Sequence, residues 1–198
     1  MVLPNQLTVL RIILTPVFLF LFISDDPLLK QLSLVVFIIA AVTDWYDGWL
    51  ARKFNYITNW GKFMDPLADK ILTSTAFFAF VFLGVLQMWM VVVIVFRDFM
   101  VTGLRLYADT KGESMTTSYV AKWKTFIQMA FIYYLLAVFT LQTVGWIYNG
   151  NEDVFRMLTS PALINICMLI ITALTIYTGV AYLFTNRKLL ERFFSDEK

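Results

Sequence analysis

Apolar residues run through this chain in long blocks, and short polar breaks separate one block from the next. A helix that crosses a bilayer needs roughly 20 mostly apolar residues. That yardstick predicts six, at about 6–23, 28–50, 62–83, 88–108, 120–144 and 162–184. Asp25, Asp26 and Pro27 supply the first break. The stretch 71–96 carries no charge, and its division into two helices rests on Gly84-Val85-Leu86-Gln87. One long span there would reverse the topology of everything after it. No internal repeat or low-complexity linker intervenes, so a single domain over 1–198 is expected, an all-α membrane protein of six transmembrane helices.

Composition agrees with that pattern. The chain is 60% hydrophobic and 15% charged, whereas a soluble domain averages roughly 25% charged. The surplus of apolar side chains exceeds what one core can hold, so much of it must face lipid. Arg11 lies inside the first apolar block and no small-residue cleavage site follows it, so the first segment reads as a retained helix and not a signal peptide.

Charge placement orients the helices. With six spans, Arg52, Lys53, Lys62, Lys111, Arg187, Lys188, Arg192 and Lys198 fall on one side. The other side has Lys30 and Arg156 beside Asp25, Asp26, Glu152 and Asp153. Basic loops stay cytoplasmic, so both termini are expected inside, with Trp89, Trp146 and Tyr148 near the outer interface. The segment 187–194 alternates charged and apolar residues, as an interfacial helix does.

Several kinds of chemistry drop out at once. A net charge of +2 does not suggest a nucleic-acid binder, and the single Cys167, in an apolar run, excludes a disulfide framework or multi-cysteine metal site. There is no histidine. Acid–base work therefore falls to Asp, Glu, Lys, Tyr or Cys.

Four aspartates stand out against this background. Asp44 and Asp47 lie toward the cytoplasmic end of the second helix, Asp65 and Asp69 at the start of the third. Spacings of three and four put each pair on one helix face, and adjacent antiparallel helices would aim all four at one spot. Ionised carboxylates at membrane depth cost a few kcal/mol each, so such a set calls for cations. Salt bridges to Arg52, Lys62 and Lys70 are one answer; those partners are few and mostly off the aspartate face. Two divalent ions are the better one, and all-oxygen ligation suits Mg²⁺ or Mn²⁺. A metal pair of this kind can clamp a phosphoryl group during in-line displacement. A divalent-cation transporter is the rival from another class, but it calls for acids along a path across the bilayer.

The residues between the acids are more specific. They read Asp44-Trp-Tyr-Asp47-Gly48-Trp-Leu-Ala51-Arg52, then eight residues, then Gly61-Lys-Phe-Met-Asp65-Pro-Leu-Ala-Asp69. This run resembles, at every fixed position, the D-x2-D-G-x2-A-R-x8-G-x3-D-x3-D signature of the CDP-alcohol phosphatidyltransferase family. The resemblance implies that Asp44, Asp47 and Asp65 ligate metal and that Asp69 is the base, with a ligand role as well. It implies that Gly48 and Ala51 let a cytidine diphosphate headgroup approach the helix, although two small residues in a membrane helix are also ordinary packing. Arg52 would contact the pyrophosphate, Gly61 would permit a close turn between the two helices, and Pro66 would sit in the first helical turns.

A second polar set occupies the fourth and fifth helices: Arg97, Asp98, Thr102, Arg105, Lys122, Lys124, Thr125 and Gln128. Arg97 and Arg105, eight apart, share a face with Thr102 between them. Cations beside a bilayer suggest an anion pocket, here for an acceptor carrying its own phosphate, with Arg97, Thr102, Arg105, Lys122 and Lys124 as its candidates. Snorkelling anchors are the alternative for Lys122 and Lys124. These segments, with Pro4-Asn5-Gln-Leu-Thr8-Val-Leu-Arg11 at the start, resemble the bacterial branch of the family that makes phosphatidylglycerophosphate. That resemblance implies CDP-diacylglycerol as donor, sn-glycerol 3-phosphate as acceptor, a bacterial cytoplasmic membrane and a homodimer. It puts Asn5 and Thr8 on the nucleotide side, although Asn5 alone also fits a helix cap. Inositol phosphate or phosphatidylglycerol as acceptor would use the same chemistry. The sixth helix and the tail carry no legible motif.

Overall fold

The computed structural model describes residues 3–54 and 59–195. Among the described residues the chain is helical, without strands: α1 (Leu3–Phe22), α2 (Pro27–Phe54), α3 (Asn59–Phe82), α4 (Met88–Thr110), α5 (Tyr119–Leu141), the short α6 (Gly145–Tyr148) and α7 (Glu152–Leu158), α8 (Pro161–Thr185) and α9 (Arg187–Ser195). Each of the six long helices overlaps one of the apolar blocks.

Local chemistry sets the breaks. The Asp26 carboxylate accepts from the Leu28 amide at 2.7 Å, capping α2, and Pro27 fills the first helical position, where no N–H is needed. Gly84 adopts a φ of 71°, the left-handed conformation that ends α3. Its N–H donates to Val81 O and that of Val85 to Phe80 O, both at 2.9 Å. The division of 71–96 into two helices therefore rests on one glycine. At the opposite end of α4, Gly112 repeats the device with a φ of 72°. Ser118 then caps α5 by accepting from the Ala121 amide.

Packing neighbours close the six long helices into a ring. α1 packs on α2 and α3, α3 on α4, α4 on α8, α8 on α5, and α5 returns to α2, also touching α3. The burial pattern divides the ring along its length. One half is apolar and aromatic: Phe18 lies 5.1 Å from Phe37 and Phe22 lies 5.1 Å from Phe80 by ring centroids, with Ile94, Ile132, Leu136 and Met168 fully buried among them. The other half, formed by the start of α1, α3 and α5 and the end of α4 and α8, buries Asn5, Thr8, Arg11, Arg97, Asp98, Lys124, Gln128 and Asn186. There Asp98 accepts from Arg97, Lys124 and Gln128, which offsets the cost of burying its charge.

The outside is apolar. Phe20, Phe96, Phe126 and Phe184 are each more than 60% exposed, which suits lipid and not water. Among the described residues three segments are long and apolar enough to cross a membrane, Asn5–Phe22, Tyr119–Leu141 and Glu152–Thr185, and Pro27–Thr43 is a shorter apolar stretch. α3 and α4 fall short of that standard because each gives one end to charged residues: Asp65, Asp69 and Lys70 on α3, Arg97, Asp98 and Arg105 on α4. α9 lays Leu189 and Leu190 against Val101, Ala108, Met115 and Tyr182 at the polar end.

Two expectations change in detail. Gly61 is not in a turn but buried within the first turn of α3, which already begins at Asn59. The earlier start also moves Pro66 out of the opening turn and into the helix interior. A proline there offers no N–H to the carbonyl four residues back, that of Lys62.

Candidate active site

The acids of α3 stand one helical turn apart, each half-buried. Thr8, wholly buried on α1, donates its hydroxyl to Asp65 Oδ1. Asn5, Thr8 and Arg11 recur every three residues and are all buried, so α1 turns one polar stripe inward at this end. The hydroxyl orients the Asp65 carboxylate without neutralising it, as the outer partner of a metal ligand does. Asp69 Oδ2 meets Lys70 Nζ at 3.3 Å.

The remaining acids come from α2. Its last turns carry Asp44, Asp47, Gly48, Ala51 and Arg52, whose side chains lie outside the described residues, as does that of Pro4. Of the four carboxylates, Asp65 and Asp69 lie within the described residues, and among those residues no third acid joins them. Their donor set is oxygen only, which fits a hard divalent cation.

Next to the acids, a cavity of about 470 Å³ opens among α3, α4 and α5. Its walls include Lys70 from α3, Arg97, Thr102 and Arg105 from α4, and Thr117, Lys122 and Thr125 from the start of α5 and the loop before it. Among the described residues Asp98 is the one carboxylate lining it, against four cations. That carboxylate is already engaged: Oδ1 accepts from Lys124 Nζ at 2.6 Å and from Arg97 at 3.2 Å, and Oδ2 from Gln128 at 3.1 Å. The cavity is therefore electropositive. Arg105 reaches Thr117 Oγ1 at 2.7 Å, and Lys122 sits 5.3 Å over the Tyr119 ring.

Four of the five residues expected at an anion pocket line this cavity: Arg97, Thr102, Arg105 and Lys122. Lys124 does not. It is 1% exposed and points at Asp98 behind the wall. Its pairing with Asp98 turns it away from the side that Lys122 presents; nor is Lys124 a snorkelling anchor, since its ammonium is buried.

Thr117 also lines the cavity, and so does Lys70, expected as an ion-pair partner for the acids and paired with Asp69. Its position next to the last signature acid was the available signal. Thr117 lies in a loop, where no helical periodicity gives it a face.

Comparison with known proteins bears on this arrangement. Residues 1–181 match the sequence profile of the CDP-alcohol phosphatidyltransferase family. A protein of Bacillus subtilis (strain 168) named CDP-diacylglycerol–glycerol-3-phosphate 3-phosphatidyltransferase is 41% identical over 146 residues, covering 68% of this chain and 76% of that one. Proteins with the same name from Rickettsia bellii (strain RML369-C) and Mycoplasma pneumoniae (strain ATCC 29342 / M129 / Subtype 1) are 33% and 36% identical, over 91% and 70% of this chain and 92% and 69% of theirs. With the aspartate signature carried on α2 and α3 and the profile spanning nearly the whole helical ring, this chain belongs to the CDP-alcohol phosphatidyltransferase family.

Proposed function

We propose that this protein transfers the phosphatidyl group from CDP-diacylglycerol to sn-glycerol 3-phosphate, giving phosphatidylglycerophosphate and CMP. One observation carries the reading. Lys70 pairs with Asp69 at 3.3 Å and also lines a basic cavity with Arg97 and Arg105, which supports a bisubstrate site with Lys70 between its halves. An acceptor that already bears a phosphate would seat that group on the cations and leave its free hydroxyl toward the acids. The names of the relatives support the same pair of substrates.

Asp44, Asp47 and Asp65, with Asp69, would hold two divalent ions, Mg²⁺ or Mn²⁺. Bound metal supplies positive charge at the pyrophosphate oxygens. The protein's own residues do the rest. Asn5 and Thr8 on α1, with Gly48, Ala51, Arg52 and Gly61, form the side that takes the cytidine diphosphate, and Asp44 borders it. Asp69 accepts the proton of the acceptor's primary hydroxyl, the freed oxygen forms a bond to the lipid-side phosphorus, and the bond from that phosphorus to the oxygen of CMP breaks. Arg97, Thr102, Arg105 and Lys122 hold the acceptor phosphate by charge-assisted hydrogen bonds. The setting is a bacterial cytoplasmic membrane crossed six times, with both termini and the polar end of the ring on the cytoplasmic side; the charge asymmetry of the loops supports it.

The test is CMP release by purified protein from CDP-diacylglycerol, with and without Mg²⁺, across glycerol 3-phosphate, inositol 1-phosphate and phosphatidylglycerol. Release that requires Mg²⁺ and glycerol 3-phosphate is expected. Faster release with either of the other acceptors would overturn the assignment.

A further inference from the structure

α8 carries no motif, yet one of its faces stands behind the basic cavity. Gly179, Tyr182 and Asn186, the C-cap residue of α8, are spaced by three and four, so they follow one face. Each touches something that bears on the cavity's two arginines.

Asn186 acts on the loop before α5. Its Oδ1 accepts from the Thr116 amide at 3.2 Å, and its Nδ2 donates to Thr116 O at 3.4 Å and to Tyr182 O at 2.9 Å. The side chain is buried. It thereby reads both backbone groups of one loop residue, as a neighbouring strand would. The next residue, Thr117, receives the Arg105 guanidinium at 2.7 Å. Tyr182 adds a second tie to the same loop, donating its hydroxyl to Met115 Sδ at 2.9 Å. These ties add hydrogen bonds from α8 to the apolar packing of Met115 and hold the loop that carries the Arg105 partner.

Gly179 acts on the other arginine. A methyl group built there would stand 3.0 Å from Arg97 Cγ and 3.7 Å from Arg97 Nε. The arginine stem thus runs directly over the glycine backbone, and that close approach fixes where the guanidinium lies. Among the described residues Arg97 Nε has no hydrogen-bond partner, so α8 supports this side chain by shape alone.

We propose that the Gly179–Tyr182–Asn186 face of α8 positions Arg105 and Arg97 for the acceptor phosphate, with Asn186 as the positioning residue for the Arg105–Thr117 wall. The inference rests on the reading of the cavity as the phosphate site.

Full-length protein in nanodiscs tests it, with KM for glycerol 3-phosphate, KM for CDP-diacylglycerol and kcat measured for each variant. A misplacement of about 1 Å can cost about a hundredfold, and the loss of one supporting side chain shifts the guanidinium by less, for about tenfold. Asn186→Ala is therefore expected to raise the acceptor KM by about that factor, with the donor KM moved less than about twofold. Thr117→Val should raise it similarly, and the Asn186→Ala/Thr117→Val pair should be no worse than the stronger single, since both act through Arg105. Gly179→Ala, through Arg97, should raise the acceptor KM independently. Multiplying effects of Asn186→Ala and Thr117→Val, or equal loss toward both substrates, would overturn the proposal. If Asn186→Ala does not fold, Gly179→Ala and Thr117→Val decide it by the same KM split. Arg105→Ala separates the two layers. An unchanged acceptor KM in that variant removes the phosphate-site reading itself, whereas a raised one beside unaffected α8 variants removes only the role of α8.

Discussion

Lys124 Nζ stands 2.6 Å from Asp98 Oδ1, a buried charge pair joining α5 to α4, with side chains 0% and 5% exposed. Both charges have left water, so the pair depends on mutual compensation and on the further bonds from Arg97 and Gln128. Removing one partner strands the other. Asp98→Asn should destabilise the protein by about 3–5 kcal/mol, and Asp98→Asn with Lys124→Gln should recover part of that loss. Thermal unfolding in detergent measures both. A double variant that melts below Asp98→Asn alone contradicts a compensating pair.

Asp69 should be separable from its neighbours by the kind of defect it produces. Asp69→Asn is expected to lower kcat by about a hundredfold or more, the usual contribution of a general base, while metal-dependent CDP binding survives. Turnover near the parent level at saturating Mg²⁺ would remove the base assignment.

Thr8 holds Asp65 through a single hydroxyl. Replacing such an outer partner typically weakens metal binding about tenfold or more. Thr8→Val should therefore shift the Mg²⁺ activation curve to higher concentration by roughly that factor, and Thr8→Ser should restore it. Binding of Mn²⁺ followed by electron paramagnetic resonance reports the same shift without turnover. Equal curves for Thr8→Val and the parent protein would mean that the hydroxyl only packs.

Metal removal offers a broader check. Chelation should abolish CMP release, and added Mg²⁺ or Mn²⁺ should restore it while Ca²⁺ restores less, because the larger ion tolerates looser geometry around the phosphoryl oxygens. Activity that persists after exhaustive chelation would exclude a metal role for the acids.

Arg105 should answer for the acceptor alone. A hydrogen bond to a charged group contributes roughly 1.5–3 kcal/mol, so Arg105→Ala is expected to raise the acceptor KM by about tenfold to a hundredfold. Arg105→Lys should recover part of the loss, keeping charge without the planar fork. Steady-state kinetics with each substrate varied in turn distinguishes this from general damage.

Signals that live within one helix were legible from the start. Apolar blocks and their breakers fixed the helices, since Pro27 and Gly84 act on their immediate neighbours. Arg97, Thr102 and Arg105 could be grouped because they share a face of one helix. What could not be read depends on another helix. The inward turn of Lys124 is decided by Asp98, and the closeness of Gly179 to Arg97 spans two helices far apart in sequence. Asn186 and Thr116 are 70 residues apart. No local pattern encodes such pairs. Gly61 and Pro66 erred for a smaller reason, the start of α3 at Asn59.

The lengthwise division of the ring has a consequence for direction. Phe18, Phe37, Phe80, Ile132 and Leu136 form a dry plug at one end, and the cavities open at the other. Under the proposed reaction, a water-soluble acceptor and CMP would use the end where these cavities open, and the lipid would reach it from the apolar flank. Such a catalyst would be one-sided by construction. It would keep a charged headgroup in the compartment where it was made.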